Sequence, residues 1–141
     1  MQRQNSLLES MPEFQNDYLH LIIDEAMGLM YSEWLRKPSS KEYREAARIF
    51  AYYLREKTIR YWIQDTNHLA KVSEEDLLHL LQELVPIAAA SPLKKLARIT
   101  TDEENIATFM ALADKSAVLL NTAIEVQQFK TYREAVEWIE E

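Results

Sequence analysis

Three times in this chain a hydroxyl residue stands three positions ahead of an acid, at the head of an apolar stripe. Ser39 precedes Glu42, Ser73 precedes Asp76, and Thr131 precedes Glu134. At that spacing the side chains can satisfy backbone N–H groups that the first helical turn leaves free. Apolar residues then recur at helical intervals: Tyr43, Ala46, Ala47, Phe50, Tyr53 and Leu54; Leu77, Leu78, Leu81, Leu84 and Val85; and Ala135, Val136 and Ile139 with Trp138. Residues 59–64, 96–100 and 123–129 are apolar or alternating runs too short for helices, and they read as strands. Such alternation predicts an α/β fold whose strands are joined by helical crossovers.

The amino-terminal part adds a second kind of connection. Residues 18–23 and 29–35 are strand-like runs on either side of the one glycine, Gly28. They read as an antiparallel hairpin, with Gly28 at the positive-φ position of its turn. A continuous helix over 18–35 is the competing reading. Further along, Thr101 and the acids after it open a predicted helix through Ile106, Phe109, Met110 and Ala113. Residues 116–121 either continue that helix or form a loop. Pro86 tends to end the second helix, although residues 87–90 can prolong it. The expected fold is therefore α/β: a mixed, mostly parallel sheet of about five strands with four helices and an N-terminal β-hairpin. Residues 1–13 are expected to be a flexible segment ahead of one domain over 14–141.

Composition narrows the function. The chain is 48% hydrophobic and 28% charged, as in an ordinary globular domain. A net charge of −7 disfavours a nucleic-acid backbone or an anionic membrane as partner. Without cysteine there is no disulfide, thiolate nucleophile or Cys-based zinc site. One glycine leaves no Gly-rich phosphate loop, and no cofactor is expected. There is no signal-peptide core and no apolar run long enough to span a membrane, so a cytoplasmic protein is expected.

Candidate chemistry gathers after the strand at 59–64. Asp65, Thr66, Asn67 and His68 lie in a polar loop at the strand's carboxyl end, where open α/β sheets usually meet their ligands. Asp65 as base and His68 as proton shuttle would make a small polar site. The ordinary alternative is a loop whose Asp and Asn bond their own backbone, and it is the stronger one. Asp102, Glu103 and Glu104, near Asp65, could take Mg²⁺, but acids in a first helical turn are better explained by the helix dipole. His20 and His79 lack a zinc-binding pattern. The aromatics Tyr43, Phe50, Tyr52, Tyr53, Tyr61 and Trp62 read as core before they read as a ligand pocket. Ser73, followed by Glu74 and Glu75, reads as a helix cap before it reads as a phosphate site.

The runs Y-L-H-L-I-I-D, L-M-Y-S-E-W, P-S-S-K-E-Y-R-E-A, Y-W-I-Q-D-T-N and T-Y-R-E-A-V-E-W-I, in that order, resemble the STAS-domain fold of bacterial anti-sigma-factor antagonists. The likeness covers about residues 14–141 and points to the divergent, stand-alone STAS-like proteins. It implies a regulatory or signalling role without catalysis. In the antagonists a strand ending in Asp leads to a D-S-S-G or D-S-T-G helix start, whose serine is phosphorylated. Here Ser73 takes the place of that motif's Asp, Glu74 and Glu75 take the serine or threonine places, and no Gly follows. The phosphoacceptor is thus absent. The resemblance implies a protein partner bound through Asp65, Thr66, Asn67, His68, Ser73, Glu74 and Glu75. A small apolar or lipid ligand in a CRAL-TRIO-like pocket is the alternative, and pairing of two copies into a homodimer stays open.

Overall fold

The computed structural model describes residues 12–101 and 123–141. Its centre is a six-stranded sheet in sequential order: β1 (Phe14–Gln15), β2 (Leu19–Asp24), β3 (Leu29–Trp34), β4 (Tyr61–Asp65), β5 (Lys95–Ile99) and β6 (Glu125–Phe129). The first three strands pair antiparallel, and β3 to β6 pair parallel. Three helices are described: α1 (Ser40–Glu56), α2 (Glu74–Ala89) and α3 (Tyr132–Ile139). The predicted helix after Thr101 and the ambiguous stretch at 116–121 lie outside the described residues.

The sheet has one strand more than the sequence predicts. β1 is two residues long, too short to show alternation. Register with β2 makes it a strand, through Phe14 opposite Leu21 and Gln15 opposite His20. Asn16 closes the turn that follows, its side-chain oxygen accepting from the N–H groups of Tyr18 and Leu19. The hairpin reading of 18–35 holds and the helical one falls. Gly28 sits at φ +67°, and its carbonyl accepts from the N–H groups of Arg60 and Tyr61.

Strand parity divides the core between two faces. Leu19, Leu21, Met30, Trp34 and Trp62 pack beneath α1 and α2, while Ile22, Leu29, Tyr31, Ile63, Ala97 and Ile99 pack beneath α3. On the α1–α2 side the indole N–H of Trp62 in β4 donates to Ser32 Oγ in β3 at 2.9 Å. α1 begins with a complete capping box: Ser39 and Glu42 each bond the other's backbone N–H. Hydrogen bonds from Arg36 and from the Ser39 N–H hold the Glu42 carboxyl down to about 2.

α2 starts at the Ser73 cap and continues through Pro86 to Ala89, so the proline does not end it. Its buried stripe is Leu77, Leu80, Leu81, Leu84, Val85 and Ala88. Leu78, placed in the stripe by periodicity, is 42% exposed, and Leu80 takes its place. Leu78 stands three residues before Leu81 and seven before Val85, Leu80 three after Leu77 and four before Leu84, so spacing admits both and only the seat of α2 against α1 and the sheet separates them. Of the aromatic group, Tyr43, Phe50 and Trp62 are core, whereas Tyr52 is exposed. No helix among the described residues is long and apolar enough to cross a membrane.

Candidate functional site

β4 delivers the chain to the carboxyl edge of the sheet, and the loop over 66–73 leads from there into α2. Asp65, the last strand residue, is half-buried. Its Oδ1 accepts from the Asn67 N–H at 3.0 Å, and its Oδ2 accepts from the Tyr31 hydroxyl at 3.5 Å. The first contact is the backbone turn that short polar side chains make after a strand. The second joins β4 to β3. Burial, with the nearby charges of Glu33 and Asp65, pushes the Tyr31 hydroxyl well above its ordinary value of 10.0, so Tyr31 stays a donor at neutral pH.

Thr66 faces inward and is 1% exposed. Its N–H and its hydroxyl both donate to the Ile99 carbonyl, at 2.8 and 2.9 Å. Asn67 reaches the same neighbouring strand end, its Oδ1 accepting from the Thr101 N–H at 3.1 Å. Leu69 is buried and donates its N–H to the Thr66 carbonyl. Ala70 then takes φ +63°, a left-handed conformation that costs a residue with a Cβ about 1–2 kcal/mol. Asn67, His68, Ala70, Lys71, Ser73, Glu74 and Glu75 make the exposed side of the segment.

The start of α2 is fastened to α1. Ser73 Oγ accepts from the Asp76 N–H at 3.1 Å. The Asp76 carboxylate accepts from Ser40 Oγ at 2.7 Å and from Arg44 Nε at 3.2 Å. Arg44 also reaches Glu75 at 3.4 Å. Partial burial raises the Asp76 carboxyl, but hydrogen bonds from Ser40, Arg44 and Ser73 and the charge of Arg44 outweigh it and leave Asp76 below its ordinary 3.8.

The structure thus brings the seven predicted residues into one continuous segment, with different duties. Thr66 is an internal pin with no surface to offer. Asp65, Asn67 and Ser73 spend their side chains on the loop's own geometry. His68, Glu74 and Glu75 point outward, and no hydrogen bond or ion pair joins His68 to Asp65. Among the described residues no cluster of three His, Asp or Glu side chains is arranged for a metal ion. Asp102, Glu103 and Glu104 lie outside the described residues.

Sequence reasoning overlooked the neighbours of Asp65 on its own sheet face. Glu33 stands beside Asp65 in the β3–β4 register, and His20 stands opposite Glu33 in β2, with His20 Nδ1 3.7 Å from Glu33 Oε1. Strand parity carries that signal, since Tyr31, Glu33 and Asp65 must share a face once β3 and β4 are parallel neighbours. Arg98, on the opposite face of β5, was also missed. It is 4% exposed and donates from Nε to Gln64 Oε1 at 3.3 Å. Desolvation draws its guanidinium down to about 10, with the Tyr43 oxygen acting in the other direction.

No family model matches the chain, and no curated protein does. Among solved structures it is similar to an uncharacterized protein of the DUF3478 family with a SpoIIAA-like fold, from Shewanella loihica PV-4. The alignment has a TM-score of 0.57 and 17% sequence identity, and it covers 92% of this chain and 98% of the other. At that identity the likeness concerns the fold. The chain has a SpoIIAA-like fold, the STAS-like architecture that its strand and helix order resembles.

Proposed function

We propose that this chain is a non-enzymatic regulatory or signalling module that binds a protein partner through the loop and helix start at 65–76. The observation that carries the reading is the division of that segment into an inner and an outer side. Thr66 and Leu69 are buried and Asn67 and Ser73 accept backbone N–H groups with their side chains, while His68, Ala70, Lys71, Glu74 and Glu75 stay exposed. A rigid, exposed loop loses little conformational freedom on association, which favours it as a binding element. Its place at the carboxyl ends of parallel strands is where this class of sheet presents its sites. Both oxygens of Asp65 are engaged by Asn67 and Tyr31, which argues against Asp65 acting as a base with His68.

The alternative, a small apolar ligand, would use the recess between α2 and the sheet, lined by Trp62, Leu81, Leu84, Val85, Leu96 and Val126. Its volume is about 60 Å³, against the several hundred Å³ that ligand sites ordinarily offer. That favours the protein partner.

Affinity capture from the native cell tests the reading, comparing the wild-type chain with a His68→Ala, Glu74→Ala, Glu75→Ala variant. The variant is expected to lose at least one partner that the wild type retains. Equal recovery of every partner by both chains overturns the assignment.

A further inference from the structure

Half of the basic residues of this acidic chain fall in one short stretch. Between Arg36 and Arg60 there are eight of the sixteen Lys and Arg and only three carboxylates, so the stretch is net +5 within a chain of net −7. α1 spans most of it, with four of the eight basic residues and all three acids, and sorts them by face. At 100° per residue Lys41, Arg44, Arg48, Tyr52 and Arg55 fall within one arc of about 80°. The arc faces away from the buried side of α1, which carries Tyr43, Ala46, Ala47, Phe50 and Leu54.

Little among the described residues neutralises this arc. Arg44 is committed to Glu75 and Asp76, but Lys41, Arg48 and Arg55 are exposed and pair with no carboxylate among the described residues. The acids of α1 are engaged elsewhere or lie past the edge of the arc: Glu42 with Arg36, Glu45 with the Tyr18 hydroxyl, and Glu56 at the helix end. Like charges three and four residues apart on a helix disfavour it by a few tenths of a kcal/mol per pair. At one edge of the arc, between Arg48 and Arg55 along the helix, stands Tyr52, 52% exposed, more than any other large apolar side chain among the described residues.

We propose that the outer face of α1 is a docking surface for an acidic helical segment of another protein. Lys41, Arg48 and Arg55 recur every seven residues, a rise of about 10.5 Å. Carboxylates at the same interval on a helix lying alongside would meet all three, and an apolar side chain between them would cover Tyr52. Charge complementarity of this kind sets partner choice and association rate. The remainder of the chain, strongly negative, repels a phosphate backbone, which selects an acidic protein over a nucleic acid. The surface adjoins the segment at 65–76 through Arg44, but Lys41, Arg48 and Arg55, which carry the inference, form no ion pair with that segment, and the inference stands or falls without it.

The test measures fluorescence anisotropy of a labelled synthetic 16-residue helical peptide against the full chain. The peptide carries Glu at seven-residue intervals and a central Leu; a Lys-for-Glu counterpart and a 16-nucleotide single-stranded DNA serve as competing probes. The acidic peptide is expected to bind in 50 mM NaCl and to weaken at least tenfold in 300 mM, where screening is short-ranged. The variant Lys41→Gln, Arg48→Gln, Arg55→Gln is expected to bind at least tenfold more weakly, and Tyr52→Ala several-fold more weakly. His68→Ala, Glu74→Ala is expected to leave the affinity unchanged. All these side chains are exposed, and thermal melts confirm that each variant is folded. Equal affinity of wild type and the triple Gln variant, DNA bound as tightly as the acidic peptide, or no binding of the acidic peptide in 50 mM NaCl overturns the proposal.

Discussion

Thr66 gives both of its donors to one acceptor: its N–H and its hydroxyl meet the Ile99 carbonyl at 2.8 and 2.9 Å. The loop after β4 is thereby locked to the end of β5, and the outward residues inherit a fixed base. Thr66→Val keeps the shape and the N–H bond and removes only the hydroxyl. It should lower stability by about 1 kcal/mol, measured as a shift in the urea midpoint with an unchanged slope. Amide hydrogen exchange at Asn67 and Leu69 should quicken in the same variant.

Asp76 ties α2 to α1, and its contribution depends on pH. Its carboxyl lies below the ordinary 3.8 in the folded chain. A depressed folded value means stability that is fully present above the unfolded value and is lost as pH falls through the folded one. Asp76→Ala should therefore cost about 1–2 kcal/mol at pH 7 through the bonds from Ser40 and Arg44. The gap between variant and wild type should narrow as the pH drops below about 4. Urea titrations from pH 7 to pH 2.5 give both curves.

Among the described residues two occupy left-handed backbone, and opposite substitutions should differ in effect. Gly28 is at φ +67°, and a Cβ there would lie 3.1 Å from the Thr58 carbonyl oxygen. Gly28→Ala should destabilise by about 1–2 kcal/mol. Ala70 is at φ +63° without being a glycine. Ala70→Gly relieves about 1–2 kcal/mol of strain against roughly 0.5–1 of added unfolded-state entropy, so it should be neutral to slightly stabilising. Thermal melts of the two variants check the contrast.

The helices and the hairpin were legible because their signals are local. Caps at Ser39, Ser73 and Thr131 lie within four residues of what they satisfy, and Gly28 marks its turn alone. β1 was not legible, because two residues carry no period and Phe14 becomes a strand only by pairing with Leu21. The choice between Leu78 and Leu80 depended on how α2 rests on α1. The loop residues were identifiable from the sequence as a polar stretch at a strand's end. Their duties were not, since the acceptor for Thr66 lies 33 residues away and the Arg44 partner of Asp76 lies 32 away. Glu33, and the place of His20 beside it, were not legible for a similar reason, as they join Asp65 only through the register of three strands.

A protein that meets the exposed side of 65–76 can be captured by site-specific photo-crosslinking in the native cell. A photoreactive phenylalanine analogue is placed at position 68 or 74, and at position 133 on the exposed side of α3 as a control. A covalent adduct with the same protein is expected from positions 68 and 74 and none from position 133. Adducts from position 133 with none from 68 or 74 would contradict a partner surface at 65–76.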